Sequence, residues 1–326
     1  MLTFLLRRFL SAIPTLLLSS LLIFFIIQLA PGDFLTPARL NPNITPEHIA
    51  ALQRNLGLDR PLPVQYWRWL TNMFQGDFGE SFAYQQKVLA LAWPRILNSM
   101  CLVLPYLILY YLIAIPLGVY GALRQNSLGD KTINVVMYIL LGFPSFFLAL
   151  LVIFGLLQLR YATGWDIPIN GMTSDNYLSL SPLGKFLDIA KHVAIPALVL
   201  AVSDAAGLTR VVRGQMLEFL HADFVRTARS KGVSEFSAVY RHTLRNALVP
   251  IIAGLGGLLP AIISGAGFIE VVFAYPGITP MTLDAIASQD LFLIAGVTML
   301  SVILLIIGNV LADILLSVVD PRIRYA

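Results

Sequence analysis

The chain has 326 residues, 57% of them hydrophobic and only 12% charged, with a mean hydropathy of +0.78. Soluble domains carry roughly twice that charged fraction, so the composition excludes a soluble globular protein and specifies an integral membrane protein with several spans. A net charge of +4 is too small to imply a nucleic-acid partner, and the single cysteine, Cys101, can form no internal disulfide.

Arg7 and Arg8 precede an apolar run from about Phe9 to Ala30. Cations ahead of an apolar stretch also open signal peptides, but this run is span-length and no A-x-A site follows it. We therefore expect an uncleaved first transmembrane helix, with residues 1–30 as the N-terminal segment. Residues 31–95 change character, with Pro, Asp, Asn and Gln and no span-length apolar run. Thr45-Pro46-Glu47 reads as an N-cap followed by proline at the first helical position, which predicts an amphipathic helix from about Pro46 to Leu56 closed by Gly57. The aromatic-rich stretch Pro61–Phe74 suits a membrane interface. We read 31–95 as a small extracytoplasmic subdomain in which Asp59, Asp77 and Glu80 serve turns and caps.

Residues 96–326 read as a five-helix core, which makes six spans in an all-α membrane protein. The second span runs from about Ile96 to Leu123 and tolerates Pro105 and Pro116 if neighbouring helices or water satisfy the freed carbonyls. Arg124–Lys131 is a short cytoplasmic loop. The third span, about Thr132 to Leu159, is interrupted at Gly142-Phe143-Pro144-Ser145, either as a bend beside a pathway or as a packing kink. After an outer loop, Arg160–Lys191, the fourth span runs from about His192 to Val212 and holds Asp204. A carboxylate there is costly unless it lies near the aqueous end or lines a pathway. The fifth span, about Ala247 to Ile269, is glycine-rich and suits close helix approach. A third outer loop, Glu270–Asp290, leads to the sixth span, about Leu291 to Leu316, where Asn309 and Asp313 share a face. Asp204, Pro144 and Asp313 are the candidate pathway residues.

Between the fourth and fifth spans lies the most polar long segment of the core, with a docking loop expected over 213–246 and its most distinctive part from Asp223 to Pro250. Asp223 is expected to cap a first short helix, Gly232 to end it with a positive φ, and Ser234 to cap a second. In the second, Phe236, Val239, Tyr240, Thr243 and Leu244 fall at i, i+3, i+4, i+7 and i+8, on one face. An apolar stripe beside a basic face suits docking into another protein's groove. Two blander readings compete: a basic loop that only enforces topology, and a DNA-binding helix-turn-helix, the second disfavoured because both ends run into apolar spans.

The residues DFVRTARSKGV followed by HTLRNALVP resemble the cytoplasmic "EAA" loop of ABC-importer permeases in the form used by the dipeptide/oligopeptide/nickel branch. Arg226-Thr227-Ala228 stands where Glu-Ala-Ala stands in the general loop. The resemblance extends to Pro31-Gly32-Asp33, Leu56-Gly57-Leu58-Asp59-Arg60-Pro61, Gly76-Asp77-Phe78-Gly79-Glu80-Ser81 and Glu270, Phe273, Pro276 and Gly277. It implies a type I permease fold and a contact of Arg226, Thr227, Ala228 and Gly232 with an ATPase subunit, with Asp223, Lys231, Arg241 and His242 completing the docking set. It also implies two ABC ATPases, a homologous sister permease, an extracytoplasmic solute-binding protein and a peptide substrate, in a bacterial inner membrane. Nickel chelates or another small solute of the same branch are the alternative cargo.

The chain carries no phosphate-cradling G-x-x-x-x-G-K-[ST], no nucleophile elbow and no metal-ligand spacing among its four histidines and Cys101, so neither catalysis, a cofactor nor a metal is expected. Thirteen of the 22 Lys and Arg residues fall on the side predicted to hold both termini, which makes that side cytoplasmic. The rival class is an ion-coupled secondary transporter using Asp204 and Asp313 as relay carboxylates, for which inverted repeats with paired broken helices are expected but not visible.

Overall fold

A computed structural model describes residues 2–29, 35, 39, 44–81, 83–253 and 266–319, and for 2–9, 52, 55, 56, 253, 312, 313 and 315–319 among them the backbone alone. The elements run α1 (Leu2–Leu29), α2 (Pro46–Leu56), α3 (Leu62–Phe74), strands β1 (Glu80–Ser81) and β2 (Gln86–Lys87), α4 (Val88–Leu123), α5 (Leu128–Gly142), α6 (Ser145–Thr163), a 3-10 turn (Tyr177–Ser179), α7 (Pro182–Leu220) and α8 (Asp223–Ser230). There follow α9 (Glu235–Ser237), a π turn (Ala238–Thr243), α10 (Leu244–Ala247), α11 (Val249–Ala253), α12 (Phe268–Val272), α13 (Ile278–Ala287) and α14 (Leu291–Val319). Among the described residues, five segments are long and apolar enough to cross a membrane: Leu10–Leu29, Val88–Leu123, Ser145–Thr163, Pro182–Leu220 and Leu291–Leu311. The helical membrane class expected from composition is the class observed. Most of the expected fifth span, 254–265, lies outside the described residues.

Several boundaries differ from expectation. The third span is not one interrupted helix but two, α5 and α6, parted at Phe143-Pro144, where Phe143 turns extended (φ −102°, ψ 129°) and Pro144 becomes the N-cap of α6. A residue before proline is pushed out of the α region, which ends α5 there. The fourth helix starts at Pro182 rather than near His192, because the Ser181 side chain accepts from the Gly184 amide and Pro182 sits at the first helical position. The third outer loop is mostly helix, α12 and α13. The helix expected from Pro46 to Leu56 is found with those ends, capped by Thr45 accepting from the His48 amide and closed by Gly57 at φ 70°.

The described residues divide into two compact units: those up to 99 together with 276–319, and 100–253 with 266–275. In the first, α1 packs along α14, and α3 lies against α1. The aromatic content of Pro61–Phe74 divides between two faces of α3. Tyr66 and Trp69 turn toward Phe24, with ring centroids 5.5 and 5.8 Å away, and the Tyr66 hydroxyl meets Ser20 Oγ at 2.9 Å. Trp67 and Phe74 turn outward. The two-residue strands β1 and β2 were not foreseen, being too short to show a period-2 pattern. Asp290, 1% exposed, ties this hairpin to α14. It accepts from Ser81 Oγ at 2.5 Å and the Ala83 amide at 3.2 Å, and caps α14 by accepting from the Leu293 amide at 3.1 Å.

The second unit is organised around α7, whose long apolar stretch is buried on two levels. Toward its start, Val193, Ala197 and Leu200 pack with Leu102, Ala149 and Phe273. Toward its end, Leu208, Val212 and Met216 pack with Ala114, Val119 and Val239. At the second level α4 and α7 touch backbone to backbone: a Cβ on Gly118 would stand 2.6 Å from Val212 Cβ and 2.8 Å from the Thr209 carbonyl oxygen. Small residues at such crossings are what permit close helix approach.

Candidate functional site

The segment expected to dock is a helical hairpin held together from within. α7 continues to Leu220, so the first eight residues of the 213–246 loop belong to that helix. Ala222, not Asp223, takes the N-cap position of α8 (φ −66°, ψ 148°) with no side-chain cap. Asp223 is instead the first helical residue, where a carboxylate still favours the positive end of the helix dipole. Its side chain is open to solvent beside Arg226 at 3.6 Å. The other two local expectations hold: Gly232 follows the end of α8 at φ 81°, and Ser234 caps α9 by accepting from the Ser237 amide. Arg229 bridges the two helices, its guanidinium donating to both carboxylate oxygens of Glu235 at 2.9 and 2.7 Å, and this pairing holds the Glu235 carboxyl below the usual range.

The expected apolar stripe is split. Residues 238–243 form a π turn, sealed by the buried Thr243 hydroxyl donating to the Ala238 carbonyl at 3.0 Å, five residues back. A π turn takes more residues than the 3.6 of an α-helix, so positions that would share an α-helical face fall out of phase. Ala238, Val239 and Thr243 turn inward, while Phe236 (74% exposed) and Tyr240 (44% exposed) face out with ring centroids 4.6 Å apart. On α8, Ala228 is 9% exposed and packs inward with Val225, while Arg226 and Thr227 face out. Asp223, Arg226, Thr227, Lys231, Gly232 and Arg241 are all exposed, whereas Ala228 lies in the packing beneath. His242 is half-buried, and its carbonyl accepts from Asn246 Nδ2 at 2.6 Å. The sequence did not reveal the outward aromatic pair, because only the phase change of the π turn exposes it.

Behind the hairpin, Arg213 of α7 clasps Asp130 near the start of α5. Its Nε reaches Oδ1 at 2.8 Å and its Nη2 reaches Oδ2 at 2.9 Å. Asp130 is 2% exposed and also accepts from the Asn126 amide at 2.9 Å and Asn134 Nδ2 at 2.8 Å. The Arg213 hydrogen bonds, helped by Asn126 and Asn134, hold its carboxyl below the usual range against the opposing effect of burial. Nothing in the sequence around Arg213 or Asp130 marks them as partners, since they lie 83 positions apart.

Of the candidate pathway residues, Asp204 is exposed on α7 and accepts from the Tyr106 hydroxyl at 2.8 Å. Pro144 is exposed at the α5–α6 break. The side chain of Asp313 lies outside what is described. Among the described residues no group of three or more His, Cys, Asp or Glu side chains is arranged to hold a metal ion.

Two family descriptions match the chain. Residues 114–325 match "binding-protein-dependent transport system inner membrane component", and residues 1–102 match its N-terminal counterpart. The chain is 38% identical to the oligopeptide transport system permease protein AppB of Bacillus subtilis (strain 168), covering 100% of both chains. It is 32% identical to the glutathione transport system permease protein GsiC of Salmonella paratyphi A, again over 100% of both.

Proposed function

From the fact that this chain belongs to the inner membrane components of binding-protein-dependent transport systems, the permeases of ABC importers, we propose that it carries peptides inward across a bacterial cytoplasmic membrane. It is the multi-pass permease of such a system, and ATP hydrolysis belongs to separate subunits. The single observation that carries the peptide reading is end-to-end similarity to a permease named for oligopeptides; a second full-length relative is named for glutathione, itself a tripeptide. The ion-coupled alternative gives way to this family membership. In the proposed assembly the chain pairs with a homologous sister permease, an extracytoplasmic binding protein delivers the peptide, and both termini face the cytoplasm. Two ATPases grip the outward face of the 213–246 hairpin, and their closure moves that hairpin as a rigid body so that the pathway opens alternately to each side. Asp204 and the Pro144 break line that pathway.

The test is uptake of a radiolabelled tripeptide by the native strain and by a strain lacking this gene, together with affinity purification of the tagged chain. The reading expects loss of uptake restored by the gene, with a second permease and ATPase subunits among the co-purified proteins. Unchanged uptake, with nickel accumulation lost instead, would replace the peptide cargo while keeping the importer.

A further inference from the structure

We propose that Asp204, Tyr106 and Tyr110 form a recognition site for a primary ammonium group, the free amino terminus of a peptide in transit. This rests on the peptide reading and adds a residue-level selector to it. Along α7, Asp204 is the one charged residue between Lys191 and Arg210. At 1.5 Å per residue the intervening stretch is roughly 27 Å long, close to the thickness of a bilayer's hydrocarbon core, and Asp204 lies about 9 Å inward from Arg210. A carboxylate at that depth is expensive against lipid and belongs on a water-filled or protein-covered surface. Yet it is exposed, while its neighbours Ser203, Ala205 and Ala206 are buried. Its Oδ2 accepts from Tyr106, and among the described residues no ion pair neutralises it.

Tyr106, which donates to that carboxylate, begins a row of tyrosines on α4: the Tyr106 and Tyr110 rings lie 5.8 Å apart and the Tyr110 and Tyr111 rings 4.9 Å apart. One turn along α7, Gly207 has no atom within 4 Å of where a Cβ would stand, so space is open on the same side of the helix. A single carboxylate with tyrosine rings nearby is the chemistry that binds an ammonium ion, through a charge-assisted hydrogen bond supplemented by cation–π attraction. It is poor chemistry for a metal ion, which needs several such ligands, and it repels a peptide's carboxylate end. The Tyr106 hydroxyl positions the carboxylate and leaves Oδ1 to the ligand.

The experiment uses the permease complex purified with its native subunits in lipid nanodiscs, without the binding protein. Saturation-transfer NMR titrations compare trialanine with N-acetyl-trialanine. The wild-type complex should prefer trialanine. Asp204→Asn should weaken trialanine binding about tenfold or more, the scale of one charge-assisted hydrogen bond. It should leave N-acetyl-trialanine unchanged, which serves as the control for an intact fold, and Asp204→Glu should restore much of the preference. Equal binding of the two peptides to the wild-type complex, or an unchanged preference in Asp204→Asn, overturns the proposal. So does loss of the sister permease from the Asp204→Asn complex, which would assign the carboxylate to the interface between subunits. Failure of the peptide reading shows separately, as normal tripeptide uptake in the deletion strain.

Discussion

Asp130 and Arg213 show how much of this molecule rests on single polar pairs set in an apolar background. Removing one partner of a buried ion pair leaves the other desolvated and unpaired, which generally costs more than the pair itself contributes. Asp130→Asn should therefore destabilise the chain by about 2–4 kcal/mol at neutral pH, the lower end reflecting the partial exposure of Arg213. The pH dependence has a definite sign. The folded-state pKa of Asp130 lies below its unfolded value, which is near 3.9. Its contribution is then complete above that value and is lost as pH falls through the folded-state pKa. The stability gap between wild type and Asp130→Asn, measured by thermal unfolding in detergent, should be widest near pH 7 and narrow toward pH 3. A gap independent of pH would remove the ion pair from the explanation. None of this was visible in the sequence, because the partners are 83 positions apart and nothing local links them. Thr45, Ser234, Gly57 and Gly232 were legible, because a cap bonds to amides three residues away and a left-handed turn asks for glycine by itself.

At the scale of elements, the docking hairpin separates what a repeating pattern can tell from what it cannot. Its two helices, its glycine break and its basic character follow from local chemistry. Its outward face does not, because the π turn at 238–243 needs the buried Thr243 and the packing beneath it. Asp223 departs from expectation for a smaller reason: helix α8 starts one residue earlier than a capping carboxylate at 223 requires, and the extended Ala222 backbone holds the N-cap place. The altered face changes which positions should meet an ATPase. Thr227 and Ala228 are neighbours in sequence, but Thr227 is exposed and Ala228 is 9% exposed. Single cysteines at the two positions, in a Cys101→Ser background, should behave differently toward a short bifunctional thiol reagent in native membranes. Thr227→Cys should give a cross-linked band with the ATPase subunit several-fold stronger than Ala228→Cys. Phe236→Cys should behave like Thr227→Cys if the exposed aromatic pair shares the contact. Equal cross-linking from 227 and 228 would mean that the hairpin opens when gripped.

Across the whole molecule, hydropathy located the spans but not the lengths of the helices that contain them. The apolar core of a bilayer selects about 20 residues, whereas α7 runs for 39, or roughly 58 Å at 1.5 Å per residue. Its extra turns are polar, so they read as loop, although Ser181-Pro182 carries the same cap-and-proline signature that revealed the helix at Thr45-Pro46. The length has a mechanical consequence: one helix, with Pro196 inside it, runs from Pro182 to within two residues of α8, so displacement of the hairpin would act directly on its end. It also fixes a topological relation independent of the total number of spans. Between Asp175 and Thr227 one described helix, α7, is long and apolar enough to cross a membrane. If α7 spans, the two positions lie on opposite sides, and the excess of Lys and Arg flanking the hairpin predicts a cytoplasmic Thr227. In a Cys101→Ser background, a membrane-impermeant maleimide added to spheroplasts should label Asp175→Cys at once and Thr227→Cys only after permeabilisation. Labelling of both from the same side would mean that α7 does not cross the bilayer, and both the exposed carboxylate at Asp204 and the hairpin's access to cytoplasmic ATP-driven subunits would need another account.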